Sequence, residues 1–348
     1  MDVNMEKLQA LLATVVNELG AASNAALVIL GDKLGLFRAL AEGAATPDEL
    51  AARTGTFERY VREWLCAQAA SGFVSYDAQT GRFALSPEQA AVFADDDSPV
   101  SMVGGFSMLT AVYHDEPKLA EAFRTGKGMH WGEHCNCLFC GVERFFRAGY
   151  RGHLVAEWLP ALDGVVEKLK RGARVADVGC GHGASTLLMA DAFPNSEFVG
   201  IDYHAGSIEH AQRLVEGRAN VRFEVGRAQD FEGRDFDLVT LFDALHDMGD
   251  PAGATAHIRR VLKPDGTLML VEPAAGNSLA ENLNPVGRVY YAGSTHICVP
   301  TALNQGEGVA LGAQAGARRI EEVVRAGGFS TFRQAATTPF NMILEARH

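Results

Sequence analysis

The sequence predicts an α/β fold: a Rossmann-like sheet with an antiparallel C-terminal hairpin, preceded by an α-helical and winged-helix domain. Three observations carry this. From Arg174 onward, short apolar strands alternate with helices, the signature of a parallel sheet with right-handed crossovers. The last two strand segments, Phe332–Ala336 and Met342–Ala346, flank Pro339 and read instead as an antiparallel pair. Ahead of this, the first hundred residues read as helix, turn, helix and a small hairpin.

The N-terminal elements follow from local chemistry. Met5–Gly31 has apolar residues at helical spacing (Leu8, Leu11, Leu12, Val15, Val16, Leu19) and predicts one or two helices. Leu34–Ala41 is a further short amphipathic helix. Thr46 is placed to cap a helix with Pro47 at its first position and Glu49 at its third, and Gly55 to end it. Glu58–Ala70 follows as a helix, then strands Phe73–Tyr76 and Arg82–Leu85 around Gly81. Ala94–Pro99 is a polar break. The expected domains are 1–100 (a winged-helix-like dimerisation domain), 101–170 (a helical connector, with Glu143–Leu162 as a helix stopped by Pro160) and 171–348.

The later domain reads strand Val175–Val178, helix Ala184–Phe193, strand Ser196–Ile201, helix Ile208–Val215, strands Val221–Val225 and Phe236–Phe242, helix Ala252–Leu262 and strand Thr267–Val271.

Charge narrows the partners. The 348 residues carry a formal net charge of −12, which disfavours phosphate backbones and anionic membranes. Residues 1–100 hold 7 Lys or Arg against 14 Asp or Glu, so the winged-helix pattern lacks the basic stripe that DNA binding needs. No apolar stretch reads as a bilayer span, and no signal peptide is legible, so a cytoplasmic protein without a membrane or nucleic-acid partner is expected.

The strongest chemical motif is Asp177-Val-Gly179-Cys-Gly181-His-Gly183, between a strand and a helix. Glycines there let a ligand approach the backbone. Gly179-x-Gly181-x-x-Ala184 also fits the dinucleotide fingerprint, with Asp202 near the distance of a ribose-binding acid. Three features decide against that reading: Asp177 two residues before the first glycine, the polar–aromatic segment Gln229-Asp230-Phe231 after the third strand, and the closing hairpin.

With these motifs, joined by Gly200-Ile-Asp202, Asp243-Ala-Leu-His246-Asp247, Leu262-Lys-Pro-Asp-Gly266 and Val271-Glu-Pro273, the segment Val175–Pro273 resembles the core of class I S-adenosylmethionine-dependent methyltransferases. The whole chain resembles bacterial methyltransferases with an N-terminal winged-helix domain, relatives of the plant-type O-methyltransferases. The resemblance implies S-adenosylmethionine as cofactor, a small-molecule acceptor and a homodimer. It implies a cofactor site formed by Asp177, Gly179, Gly181, Gly183, Asp202, Tyr203, Gln229, Asp230, Phe231, Phe242 and Asp243. Asp202 would hold the ribose, Asp230 the adenine amine, the Phe231 backbone the ring, and the carbonyls near Phe242 or Asp243 the methionine ammonium. In the plant-type enzymes the His–Asp pair matching His246 and Asp247 supplies the general base for a hydroxyl. Met248 stands where that motif has Trp, and a bland reading lets His246 cap the next helix.

Three of the six cysteines fall together in His134-Cys135-Asn-Cys137-Leu-Phe-Cys140. Three sulfurs with His134 could bind zinc, or accept a thiophilic metal or metalloid as the substrate; the alternative is three reduced thiols. A regulator that senses S-adenosylmethionine and binds DNA is a further alternative. Cys66, Cys180 and Cys298 read as packing residues, and Tyr290, Tyr291, His296 and Cys298 as candidates on substrate-facing loops.

Overall fold

The computed structural model describes residues 3–306 and 308–348. Two compact units emerge. One comprises the residues up to Ala111 together with Cys140–Gly149; the other comprises Val112–Phe139 and Tyr150–His348. The connector expected over 101–170 is thus shared between them.

In the first unit, helices Met5–Lys33, Leu36–Ala41, Pro47–Thr54 and Glu58–Ala70 precede strands β1 (Ser75–Asp77) and β2 (Arg82–Ala84). The Thr46 capping box is complete, with Glu49 N–H donating to Thr46 Oγ1 and Thr46 N–H to the Glu49 carboxylate. The core gathers Val28, Phe37, Leu50, Trp64, Leu65 and Phe83. Within it, Trp64 Nε1 donates to the Leu27 carbonyl at 2.8 Å, and Gln68 Nε2 to Asn24 Oδ1 at 2.7 Å. Arg144 forks onto Asp32 at 2.6 and 2.9 Å, fixing the middle of the helix Asn136–His153 in this unit. Along Glu58–Ala70, Arg59 pairs with Glu63 and Arg62 with Glu58, one turn away on the same helix. Those guanidinium groups are neutralised within the helix.

The first helix requires a correction. It runs unbroken over Met5–Lys33, and an 18-residue window of it reaches a mean hydropathy of 1.4, enough in length and composition to cross a membrane. Thr14, Asn17 and Glu18 are spread along the same turns as the apolar residues, so no single continuous apolar run is visible in the sequence. Its last turns belong to the domain core, where Asn24, Ala25, Val28 and Gly31 are buried.

The second unit is built on a seven-stranded sheet: β3 (Arg174–Val178), β4 (Glu197–Asp202), β5 (Val221–Val225), β6 (Phe236–Phe242), β7 (Leu262–Pro273), β8 (Thr331–Thr337) and β9 (Asn341–Arg347), in the order β5-β4-β3-β6-β7-β9-β8. The first five strands are parallel, and β9 runs antiparallel to both β7 and β8. Helices separate β3 from β4, β4 from β5 and β6 from β7, a loop joins β5 to β6, and the antiparallel β9 and β8 complete one edge of the sheet. The order reverses between β3 and β6, so a crevice opens beyond their C-terminal ends.

Two regions differ from expectation. The helix read as Glu143–Leu162 starts at Asn136 and passes into a π turn, Leu154–Trp158, before Pro160. The segment after β7 is largely helical where loops were expected: Leu279–Asn282, Pro285–Gly293, the π turn Ser294–Cys298 and Val299–Asn304. Asn284 caps the second of these by accepting from Gly287 N–H at 2.8 Å, with Pro285 at its first position. The π turn lies just before Pro300, whose missing N–H would interrupt an ordinary α-helix.

Candidate active site

The site lies at the C-terminal ends of β3, β4, β6 and β7. Its floor is the turn after β3. Asp177 is buried, and both of its oxygens are used inside the protein: Oδ2 accepts from Ser185 Oγ at 2.7 Å and Thr186 Oγ1 at 2.6 Å, Oδ1 from Thr240 Oγ1 at 3.0 Å. Its carboxylate therefore ties the turn to the following helix and to β6. Gly179 and Gly183 have φ of 76° and 82°. A Cβ on Gly183 would stand 2.5 Å from the Phe223 ring, and one on Gly179 2.8 Å from the Ala244 methyl group. Around Gly181, by contrast, nothing lies within 4 Å of such a position, so the turn leaves open space above its middle glycine.

Asp202, at the end of β4, is buried and accepts from Gly181 N–H at 2.9 Å and from His204 N–H at 2.8 Å. Burial pushes its carboxyl above the usual range, against those two amides. One lone pair on each oxygen remains for ligand hydroxyls. Tyr203, beside it, is partly exposed and meets the His130 ring edge-on at 5.6 Å. His130 and Trp131 belong to a strap, residues 126–139, that sequence reasoning missed. Its Met129 N–H donates to the Pro300 carbonyl, and its Phe139 ring lies 5.0 Å from His204.

The expected adenine edge is arranged differently. Asp230 is exposed and Gln229 Nε2 donates to the Asp250 carbonyl at 3.3 Å. The Phe231 N–H, expected to meet a ring nitrogen, donates to the Arg227 carbonyl at 3.0 Å, and the Phe231 ring is buried in the core. The tight turn after β5 spends that donor on itself.

At the end of β6, Phe242 is buried with its ring 5.2 Å from Tyr150, and Asp243 has a left-handed φ of 50°. A non-glycine residue there is strained unless its surroundings hold it. The Tyr150 hydroxyl donates to Asp243 Oδ2 at 3.1 Å and Asn341 Nδ2 to Oδ1 at 2.9 Å. Burial, reinforced by Glu272, pushes the Asp243 carboxyl up to about 8.

His246 is 4% exposed. Its Nδ1 lies 2.6 Å from Glu272 Oε2, on β7, and its Nε2 3.2 Å from Asp247 Oδ1. Glu272 Oε1 in turn accepts from Leu245 N–H at 3.0 Å, so both carboxylate oxygens are fixed. The Cys298 thiol lies with these groups, ligand atoms of Cys298, His246 and Asp247 all being within 4.8 Å of one another. Burial pushes the imidazole pKa down, but Asp247 and Glu272 outweigh it and hold the ring well above its ordinary value. Burial raises Asp247, and it lifts the Cys298 thiol to about 12. The next helix is capped by Asp250, which accepts from Gly253 N–H, so His246 is not its cap.

Glu272 and Tyr150 are the main side chains that sequence reasoning left without a role. A glutamate within the apolar strand Leu268–Val271 and before Pro273 is the signal that could have found the first.

The cysteine motif spans the start of a helix. Helix Asn136–His153 starts directly after Cys135, so Cys137 and Cys140 project from its first turns while Cys135 sits at its cap. His134 is buried with Nδ1 3.1 Å from Asp115 Oδ2, and burial holds its pKa down. Among the described residues, the group of His, Cys, Asp or Glu ligand atoms that does converge, within 4.8 Å, is His246, Asp247 and Cys298.

Comparison with known proteins agrees with this architecture. Residues 169–316 match a family described as a methyltransferase domain, and residues 22–94 a Rv2258c-like winged HTH domain. Demethylmenaquinone methyltransferase of Staphylococcus carnosus (strain TM300) is 29% identical over 108 residues, 30% of this chain and 45% of that protein. The Staphylococcus aureus (strain JH9) enzyme is 32% identical over 107 residues, 30% of this chain and 44% of its own length. The chain thus spans less than half the length of these curated relatives. Among solved structures, human N-acetylserotonin methyltransferase in complex with S-adenosylmethionine superposes with a TM-score of 0.71 at 18% identity, covering 100% of this chain and 99% of that one. The mitomycin 7-O-methyltransferase gives 0.69 at 19% identity, covering 99% and 100%. These likenesses are of fold.

Fold and domain matches together define a methyltransferase-type domain that follows a winged-helix domain along the chain. Residues 169–316 are thus similar to a methyltransferase domain and residues 22–94 to a winged HTH domain.

Proposed function

We propose that this protein transfers the methyl group of S-adenosylmethionine to a hydroxyl of a small molecule, with His246 as general base. The observation that carries the reading is the Glu272–His246 pair at the sheet end beside the glycine turn, with Nδ1 fixed at 2.6 Å and Nε2 turned to the other side of the ring. The bound cofactor supplies an activated methyl carbon, open to in-line attack. In our reading, the turn at Gly179–Gly183 and the Asp202 carboxylate hold the nucleoside, and the backbone at Phe242 and Asp243 the amino-acid end. Asp177 acts by shaping the turn. His246 Nε2 takes the hydroxyl proton as oxygen attacks the methyl carbon and the carbon–sulfur bond breaks. Asp247 and Glu272 stabilise the imidazolium that results.

The test is a panel of phenols, alcohols, amines and thiols incubated with isotope-labelled S-adenosylmethionine. Label is expected on oxygen. Label confined to nitrogen, sulfur or carbon would overturn the hydroxyl reading.

The winged-helix domain serves, in the same reading, to join two copies. Leu11, Leu12, Val15, Val16 and Leu19 form an exposed stripe on the first helix, and the helix Glu58–Ala70 keeps its arginines paired. Leu12→Asp with Val16→Asp is expected to halve the mass measured by sedimentation equilibrium. An unchanged mass would remove the stripe from the interface.

A further inference from the structure

We propose that the strap of residues 126–139 covers the nucleoside half of the cofactor site, and that Asp115 is the positioning residue that latches it there. This rests on the reading that Asp202 holds the ribose. The contacts of the strap point to that place. Gly132 approaches His204 so closely that a Cβ on it would stand 3.3 Å from His204 Nε2, an approach that suits glycine. The His130 ring meets Tyr203 edge-on at 5.6 Å, and the Phe139 ring lies 5.0 Å from His204. Tyr203 and His204 directly follow Asp202, and His204 N–H donates to its Oδ1 at 2.8 Å. The strap therefore packs on the residues next to the ribose acid, at the β4 side of the open space above Gly181.

Both ends of the strap are tied down. At one end Met129 N–H donates to the Pro300 carbonyl at 2.9 Å, and a Cβ on Gly128 would collide with that carbonyl. At the other end stands Asp115, on the helix Val103–Thr125 and 4% exposed. Its Oδ2 accepts from His134 Nδ1 and from Cys135 N–H, each at 3.1 Å. Lys118, one turn further along that helix, donates to the Glu133 carbonyl. Burial works against the Asp115 charge, but hydrogen bonds from His114, the Cys135 amide and His134 outweigh it and hold the carboxyl at about 2. The latch is therefore a charged acceptor. Burial holds the His134 pKa down, so its ring is neutral and donates from Nδ1. Its Nε2 is buried without a hydrogen-bond partner among the described residues, so Asp115 alone orients the ring by hydrogen bonding. Without the latch, the strap has to be ordered each time the cofactor binds, and that ordering weakens binding.

The experiment measures affinity and dissociation rate for two probes on the full chain. One is S-adenosylhomocysteine. The other is methylthioadenosine, which carries the nucleoside without the amino-acid end. Asp115→Ala is expected to weaken both about tenfold, the loss that follows removal of a hydrogen bond to a charged group, with most of the change in the dissociation rate. His134→Ala should do the same. His134→Asn, whose amide nitrogen can stand where Nδ1 stands, should recover most of the loss, which a general packing defect would not allow. If Asp115→Ala does not fold, the two His134 variants carry the test. Affinity within about twofold of wild type in the alanine variants, against that tenfold loss, overturns the proposal. So does a loss for S-adenosylhomocysteine that methylthioadenosine does not share, or no recovery in His134→Asn. Asp202→Ala separates this from the reading beneath it. Wild-type affinity in that variant removes the ribose reading, whereas a loss there with none in the strap variants removes the strap alone.

Discussion

Changing His246 to glutamine is expected to lower the rate of methyl transfer about 10²–10⁴-fold, the usual contribution of a positioned general base. Glutamine keeps a polar group of similar reach but cannot take the hydroxyl proton. Cofactor binding, read as a mass shift, should persist, because Asp202 and the glycine turn are untouched. The pH profile is the sharper readout. Asp247 and Glu272 raise the His246 pKa against the effect of burial, so the ring is protonated and idle at low pH. The wild-type rate should climb about tenfold per pH unit until the ring loses its proton, then level. That rise should vanish in the glutamine variant. A variant that transfers methyl groups at the wild-type rate would end the base assignment. The same raised pKa fixes a stability trend. The contribution from this ring is fully present below its unfolded value near 6.5 and is lost as pH rises through the folded one.

The second large effect falls on Asp202. Its carboxylate accepts from the Gly181 and His204 amides, which leaves one lone pair on each oxygen. Asp202→Ala removes two acceptors for the ribose hydroxyls and leaves two amides unpaired. Hydrogen bonds to charged groups contribute about 1.5–3 kcal/mol each, so cofactor affinity should fall on the order of 10²-fold or more. Titration calorimetry with S-adenosylhomocysteine reads this directly. The rate at saturating cofactor should change far less, because Asp202 does not touch the reacting atoms in this reading. Affinity within about threefold of wild type, against that 10²-fold loss, would show that the ribose is held elsewhere.

Much of the catalytic domain was legible because its signals are local. Strand Val221–Val225 and strand Phe236–Phe242 stand where their apolar runs end, and the Thr46 capping box and the Gly55 stop mark a helix by chemistry confined to a few residues. For the cysteine motif, spacing along the chain does not give direction. Asn136 starts a helix there, so Cys137 and Cys140 are helical positions and Cys135 is the cap. The helices after β7 were not legible in the sequence. Loops were expected there, whereas Pro285 and Pro300 stand at helix starts and a π turn precedes Pro300.

The sequence by itself determined the order of strands and helices, the glycine turn between β3 and its helix, and the presence of Asp202 and His246 at strand ends. These depend on periodicity and on backbone angles that few residues adopt. Only the tertiary structure decided what surrounds them. Glu272 lies 26 residues from His246, Cys298 comes from a separate helical segment, and Asn341 reaches Asp243 across 98 residues. Pairing parallel β6 with β7, and β7 with antiparallel β9, brings these side chains to one end of the sheet. The charge of a buried imidazole is set by those neighbours, and no local pattern in the chain records them.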